Sequence, residues 1–492
     1  MQMEQYDLCV IGGGPSGYAA AMRAVDFGKK VILLERNRVG GAGIYNGALS
    51  SKTFWELAQS MASMRGRLES FGMDFPKVHF GSILKEVDDA VFERSSQLEE
   101  HLRRVERESN GQFRFVRGFG RMLNTTEVEV RGDFDPFTIQ AEHTIVATGS
   151  RPRLLPNVPI DERTILTSDG ISSLREFPES IVIVGAGVIG CEFATIFSAF
   201  GRTEVRLIAK DDHILPFEDR DLSQVIEQNM EDNGVFIHRN ARLISMDIIG
   251  GKVNYVIGYP DGSEEAFEAE KALISIGRVP NIENTGLKEL GVALDRGGCV
   301  DDVDTQTNIP NIYSVGDMTA DIALVNVGEL EGRHAVERIF GDNQDRLIYE
   351  NISTIMFLSP EVAGVGMNEQ QAQQAGVSYR VASFDFRCIP RAVAMRKTQG
   401  FFKILVTDDE EMKILGMRAL GEHASSAIQA VALLISMNKG ISELAELIHP
   451  HPSIIEGIQE CVRMLLKKSI YKPTIFTEML QLRRWRDGHY IE

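Results

Sequence analysis

The run Tyr6-Asp7-Leu8-Cys9-Val10-Ile11 ends in Gly12-Gly13-Gly14-Pro15-Ser16-Gly17, and a helical pattern follows from Tyr18 to Phe27. A second apolar run, Val31-Ile32-Leu33-Leu34, closes on Glu35. Strand, glycine turn, helix, strand and acid in this order specify a Rossmann-like unit that grips a dinucleotide. Gly12 permits the tight turn, Gly14 lets a pyrophosphate approach the backbone, and Gly17 lets the helix sit close to the strand. The helix N-terminus faces the phosphates, and Glu35 accepts hydrogen bonds from a ribose. The same order returns downstream. Ile181-Val182-Ile183-Val184 leads into Gly185-Ala186-Gly187-Val188-Ile189-Gly190, Cys191-Glu192 continue on a helix, and Val205-Arg206-Leu207-Ile208 forms the next strand. Two such units in one chain imply an α/β protein that binds two dinucleotides.

The second unit departs from the first where selectivity is set. Ala209 and Lys210 follow its second strand in place of an acid. An acid there binds a ribose 2′-hydroxyl and repels a 2′-phosphate. Two readings of Lys210 stand: it pairs with the 2′-phosphate of NADPH, or it is a solvated turn lysine beside Asp211 and Asp212.

At 492 residues the chain exceeds one core, and about three domains are expected. A net charge of −18 argues against nucleic acid or an anionic membrane as partner. The longest apolar stretch, Ala427 to Met437, falls short of the roughly 18 residues of a membrane span. No basic head and apolar segment precede the first strand, so a cytoplasmic protein is expected. Cys9, Cys191, Cys299, Cys388 and Cys461 are scattered and never in a CxxC spacing. They read as free thiols in a reducing compartment, with no zinc or other metal site.

Gly40-Gly41-Ala42-Gly43-Ile44-Tyr45-Asn46-Gly47-Ala48-Leu49-Ser50-Ser51-Lys52 resembles the GG-x-C-x-N-x-G-C-x-P-S-K segment of the class-I pyridine nucleotide-disulfide oxidoreductases, the dihydrolipoamide dehydrogenase-like flavoproteins. Gly40, Gly41, Gly47, Ser51 and Lys52 match. The two cysteines do not: Gly43 and Ala48 stand there, and a disulfide relay needs two sulfurs within reach. Thr144-Ile145-Val146-Ala147-Thr148-Gly149-Ser150 resembles the family's ATG strand. Thr307 to Asp317 resembles its second FAD motif. Ser353 to Ala363 resembles the opening strand of its dimerisation domain. His449-Pro450-His451-Pro452-Ser453-Ile454-Ile455-Glu456 resembles its H-x-H-P-x-x-x-E. The resemblance runs from residue 4 to about 470.

It implies two Rossmann-like domains, one for FAD and one for NAD(P), and a C-terminal α+β dimerisation domain. The expected boundaries are 1–150 with 275–345 for FAD, 151–274 for NAD(P), 346–470 for the dimer interface and 471–492 for a tail. FAD contacts are implied for Gly41, Lys52, Thr148, Gly149, Gly316 and Asp317 beside the first fingerprint, and Gly277 is implied as a further cofactor-binding residue. Lys52 and Glu192 match a lysine and glutamate that pair near the flavin. In the relatives the second histidine, held by the glutamate, serves the interchange thiol from across the dimer. Here those residues are His451 and Glu456. Either they protonate another reduced acceptor, or they are a structural remnant at the interface.

The implied activity is a homodimeric, FAD-dependent NAD(P)H oxidoreductase that hands electrons to a quinone or similar small oxidant. Gly43 and Ala48 leave space for a planar acceptor lined by Tyr45, or repacking fills the gap. A soluble transhydrogenase, a non-catalytic flavoprotein partner and a reductase of a partner's disulfide are the alternatives. The tail, with Trp485 and its basic cluster, docks on the partner subunit or is mobile.

Overall fold

A computed structural model describes residues 3–491. The chain divides into two compact units. Unit 1 holds residues 1–57, 74–177 and 274–347, and unit 2 holds 58–73, 178–273 and 348–492.

Unit 1 is built on β1 (Glu4–Ile11), α1 (Pro15–Asp26), β2 (Val31–Glu35), α2 (Gly41–Ile44), α3 (Ala48–Ser70), α4 (Phe80–Glu108), β3 (Phe113–Arg117) and β4 (Phe134–Val146). Helix α3 continues beyond residue 57 into unit 2. The strand Ile312–Ser314, β4, β1, β2 and β3 lie in that order, and all of these pairs are parallel. Strands covered on both faces read as continuous apolar runs, and Leu8, Cys9 and Val10 are wholly buried. Helix α1 crosses the helix Val325–Phe340 at van der Waals distance. A Cβ on Gly332 would stand 2.2 Å from the Ser16 carbonyl oxygen, and one on Gly328 2.3 Å from Ser16 Oγ. At Gly332 the clash is with backbone, so only glycine permits this approach there.

Unit 2 begins with a second parallel sheet. It contains β5 (Ser180–Val184), α5 (Val188–Phe200), β6 (Glu204–Ile208), α6 (Arg220–Asp232), β7 (Val235–His238) and β8 (Lys271–Ile274). The strand order is β7-β6-β5-β8, with β7, β6 and β5 paired parallel.

The rest of unit 2 is an antiparallel sheet. Its elements are β9 (Ser353–Met356), β10 (Val362–Gly366), α7 (Glu369–Gln374), β11 (Tyr379–Asp385), β12 (Phe401–Thr407), β13 (Ile414–Leu420), α8 (Glu456–Leu465), β14 (Leu480–Arg486) and β15 (His489–Ile491). The order is β9-β10-β13-β12-β11-β14-β15. Helix α8 packs on β11 and β12 through Ile458, Cys461 and Val462. The tail therefore adds two strands to its own chain's sheet. Strand β14 pairs with β11 from Phe384 opposite Leu480 to Tyr379 opposite Trp485. Among the described residues no helix is long and apolar enough to cross a membrane.

Candidate dinucleotide sites

The two glycine turns have the same internal geometry. The Gly12 N–H donates to the Leu34 carbonyl at 2.7 Å, and the Gly185 N–H to the Ile208 carbonyl at 3.1 Å. Both glycines are left-handed, with φ of 112° and 107°. Gly14 and Gly187 are the extended N-caps of α1 and α5, and neither helix has a side-chain cap. Their first N–H groups and the positive end of each helix dipole are thus directed to an anion. A Cβ on Gly14 or Gly187 would meet nothing within 4 Å, so the space over each turn is open. Gly17 is needed for packing, since its Cβ would fall 1.9 Å from the Gly12 carbonyl oxygen. Gly190 is buried in the first turn of α5. These features fit two dinucleotide pyrophosphates.

The shared register makes Ala209 the counterpart of Glu35. The Glu35 carboxylate accepts the N–H groups of Gly13 and Asn37, each at 2.7 Å, which fixes it at the end of β2. Ala209 is fully buried and carries no acceptor. Lys210 is exposed. Asp212, two residues on, is taken up by Arg220 at 2.6 Å and His213 at 2.5 Å. Hydrogen bonds from His213 and Arg220 hold the Asp212 carboxyl below the usual carboxylate range. Leu215 N–H donates to the Ala186 carbonyl at 2.9 Å, so the segment after β6 runs beside the second turn.

In unit 1 the remaining sequence-derived residues cluster round the first turn. Asp317 accepts from Ser150 Oγ at 2.7 Å, and Arg278 Nε donates to the same Ser150 Oγ at 2.7 Å. Thr148 Oγ1 donates to the Asn281 carbonyl at 2.6 Å, and the Asn281 N–H donates to the Gly149 carbonyl at 2.8 Å. The Gly316 N–H donates to the fully buried Glu331 carboxylate at 2.6 Å. Arg278, Asn281 and Glu331 escaped the sequence reading. The first two lie one and four residues after Gly277 in Gly277-Arg278-Val279-Pro280-Asn281, which is the available signal.

Residues 40–43 lie along the first turn. Gly40 N–H donates to the Gly13 carbonyl at 2.8 Å, and a Cβ on Gly41 would be 3.4 Å from Gly14 Cα. A Cβ on Gly43 would be 2.8 Å from Pro15 Cγ and 3.6 Å from Val325 Cγ2. The direction in which a side chain at 43 would project is thus already filled. Ala48 opens α3, and Lys52 is half-buried in its first turn. The Tyr45 ring lies under the Arg38 guanidinium, 5.1 Å from the ring centroid. All five cysteines are free. Burial pushes the Cys9, Cys191 and Cys461 thiols up. Among the described residues no cluster of His, Cys, Asp or Glu is placed to hold a metal ion.

In unit 2, Glu192 is buried on α5 and accepts the Phe357 N–H at 3.0 Å. His451 Nδ1 lies 2.7 Å from Glu456 Oε1, and Ser453 N–H donates to Glu456 Oε2 at 2.8 Å. Burial works to raise the Glu456 carboxyl. The Ser453 N–H and His451 outweigh it, so the carboxyl lies below the usual range. His451 is otherwise exposed.

Residues 6–332 match the pyridine nucleotide-disulphide oxidoreductase family, and residues 352–462 match its dimerisation domain. A dihydrolipoyl dehydrogenase of Chlamydia muridarum is 33% identical over 96% of this chain and 99% of that protein. One from Bacillus subtilis is 31% identical over 95% of this chain and 99% of its own length. The crystal structure of LpdA from Mycobacterium tuberculosis superposes with a TM-score of 0.85 at 27% identity, over 94% of this chain and 99% of that one. The family uses FAD and NAD(H). With two intact dinucleotide turns and a C-terminal dimerisation domain, the chain belongs to the pyridine nucleotide-disulphide oxidoreductase family.

Proposed function

We propose that this chain is an FAD-dependent NAD(P)H oxidoreductase whose electron acceptor is a small non-disulfide oxidant, a quinone or a similar molecule, reached without a cysteine relay. One observation carries the reading. Gly43 and Ala48 occupy the two positions where the resembling segment carries sulfur, in a chain whose dinucleotide turns are intact. The raised thiols of the buried cysteines support it, because the thiolate is the reactive form of cysteine.

When bound, FAD supplies the two-electron chemistry, while the protein supplies binding, orientation and electrostatics. The Gly12–Gly17 turn and the uncapped start of α1 bind the pyrophosphate, Glu35 holds the ribose, and Asp317 is kept in place by Ser150. Lys52 brings an ammonium to the flavin side of unit 1. Glu192 keeps a buried carboxylate near the second turn. Ala48 and Tyr45 line the acceptor slot, and Gly43 keeps the backbone tight against Pro15. His451, oriented through Nδ1 by Glu456, has Nε2 available to deliver a proton to the reduced acceptor. The chain works as a cytoplasmic homodimer, assembled through the domain at 352–462.

Anaerobic mixing with NADPH and with NADH, followed by flavin absorbance, tests the first half of this reading. Bleaching is expected with at least one coenzyme. No bleaching with either would end the enzyme reading in favour of a binding role. Steady-state turnover then separates acceptors. Quinones should turn over and lipoamide should not. Turnover with oxidised nicotinamide alone would identify a transhydrogenase.

A further inference from the structure

The segment joining β6 to α6 is anchored at both ends. Its near end borders the second turn through Leu215 and Ala186, and it carries Ala209 and Lys210. At its far end is Asp219, the N-cap of α6, whose side chain does not cap that helix. It accepts instead the N–H groups of Glu369 at 3.2 Å and Gln370 at 3.0 Å, and it binds Lys403 Nζ at 2.7 Å. Next to it, Glu218 is gripped by Arg418 Nε at 2.8 Å, and Asn368 Nδ2 donates to the Phe217 carbonyl at 2.9 Å. The far end of the segment, residues 217–219, is thus held by Arg418 and Lys403 of the antiparallel sheet and by the start of α7.

Lys403 is fully buried, yet three carboxylates surround it: Asp219 at 2.7 Å, Asp221 at 2.7 Å and Glu369 at 3.1 Å. Burial opposes its charge, the carboxylates outweigh burial, and its pKa is pushed up to about 12. Asp219 and Glu369 are buried with Lys403, while the Asp221 side chain is 40% exposed. One ammonium cannot balance two buried carboxylates and a third at the rim, and an uncompensated buried charge is strongly destabilising. The missing positive charge comes from the tail. Arg483 lies 2.6 Å from Glu369, and Tyr490 Oη donates to the same carboxylate at 2.9 Å. The tail is held in this position by its ladder to β11, by Trp485 stacked on Tyr379 at 5.7 Å, and by the buried Asp408. That carboxylate binds Arg484 and Arg486 as well as Arg380.

We propose that the strands β14 and β15 are a positioning element for the second dinucleotide site, acting through Glu369, Lys403 and Asp219 on the segment 209–221. The proposal rests on the assignment of the second turn to a nicotinamide dinucleotide. Without Arg483 and Tyr490, Glu369 competes with Asp219 and Asp221 for Lys403, and the segment bearing Lys210 loses its fixed end.

The test uses the full-length, FAD-loaded protein as wild type, Arg483→Met, Arg483→Lys, Tyr490→Phe and a truncation after Asp487. Amide hydrogen exchange of residues 209–221 is the first readout. Arg483→Met and the truncation are expected to accelerate it by about tenfold, with the sheet of unit 1 unchanged. The second readout is equilibrium binding of NAD+ and NADP+. It is expected to weaken about tenfold in the same variants, while the limiting rate of flavin reduction at saturating coenzyme stays within about twofold. Arg483→Lys should restore most of both losses, and Tyr490→Phe should show a smaller loss. Exchange and affinity unchanged in Arg483→Met would overturn the proposal. If the truncated protein fails to fold, the point variants decide. If the wild type binds neither nucleotide, the assignment of the second turn fails instead, and the exchange data alone still decide whether the tail holds the segment.

Discussion

Gly43 lies so close to Pro15 that a Cβ at position 43 would come within 2.8 Å of Pro15 Cγ. Pro15 is the first residue of α1, which opens directly from the first dinucleotide turn. A proline ring can pucker but cannot swing away. Reinstating sulfur by Gly43→Cys is therefore expected to displace the turn, at a cost of about 1–3 kcal/mol, and to loosen FAD. Flavin fluorescence released during a thermal melt checks this. The melt should fall in Gly43→Cys and recover when Pro15→Ala is added. Ala48→Cys should leave FAD retention close to wild type. Equal retention in all three would show that the contact does not constrain position 43.

The crossing of α1 and the helix Val325–Phe340 has even less room. Gly332→Ala would place a Cβ 2.2 Å from the Ser16 backbone oxygen, which no side-chain movement relieves. About 3 kcal/mol of destabilisation is expected, together with reduced FAD content, because Ser16 belongs to the glycine turn. Urea unfolding monitored by flavin and by far-UV signal measures both effects. A loss under 1 kcal/mol would mean that the helices separate readily.

The fold was legible from the sequence because glycine turns and continuous apolar strands are local signals. Gly12 and Gly185 each sit between such a strand and a helix, and the structure gives both the same hydrogen bond and the same left-handed backbone. Lys403 was not legible. In Phe401-Phe402-Lys403-Ile404-Leu405-Val406 it reads as one polar residue on a strand edge. Its partners Asp219 and Asp221 come from a distant part of the chain, and only the tertiary fold brings them to it. The strands of the tail are hidden in the sequence for a similar reason. Four of the seven residues of β14 are polar or charged apart from Leu480, Leu482 and Trp485, which hides a strand whose arginines are neutralised by Asp408 and Glu369. For Gly43 the sequence leaves two readings, space for an acceptor or a gap filled by repacking. The direction of its absent side chain, which the sequence does not encode, points into Pro15.

Asp302 provides a pH test. Burial raises its carboxyl to about 6, the Thr305 N–H partly opposes this, and Asp321, Asp301 and Asp304 add to the rise. A carboxyl raised in the folded state stabilises the protein below its unfolded pKa, and that contribution is lost as pH rises through about 6. Asp302→Asn keeps an acceptor for Thr305, whose N–H donates at 2.7 Å, and removes the charge. At pH 8 the variant should melt about 2 °C above wild type, and at pH 4 the gain should vanish. A gain of the same size at both pH values would point to a cause other than ionisation.

Ala209→Glu tests the coenzyme reading. It places in the second unit the acid that Glu35 provides in the first. The expected result is a shift of the NADPH-to-NADH preference towards NADH by about tenfold or more, because an acid there accepts from a 2′-hydroxyl and repels a 2′-phosphate. Lys210→Ala should weaken NADPH alone if the lysine pairs with the phosphate. Flavin reduction rates at limiting coenzyme give both ratios. Equal losses with the two coenzymes would mean that neither position reads the ribose.

His451 and Glu456 separate proton transfer from mere survival of a motif. Their hydrogen bond is short, and Glu456 is also held by the Ser453 N–H, so the imidazole keeps its orientation while the rest of its ring is exposed. If His451 protonates the reduced acceptor, His451→Ala slows steady-state turnover by about 10²-fold and leaves anaerobic flavin reduction within about twofold. Glu456→Gln, which keeps an acceptor for Ser453 but loses the charge facing the imidazole, should fall between wild type and His451→Ala. A structural remnant predicts the opposite pattern. Turnover would be unchanged at protein concentrations that keep the dimer intact, and sedimentation would show weaker self-association in both variants.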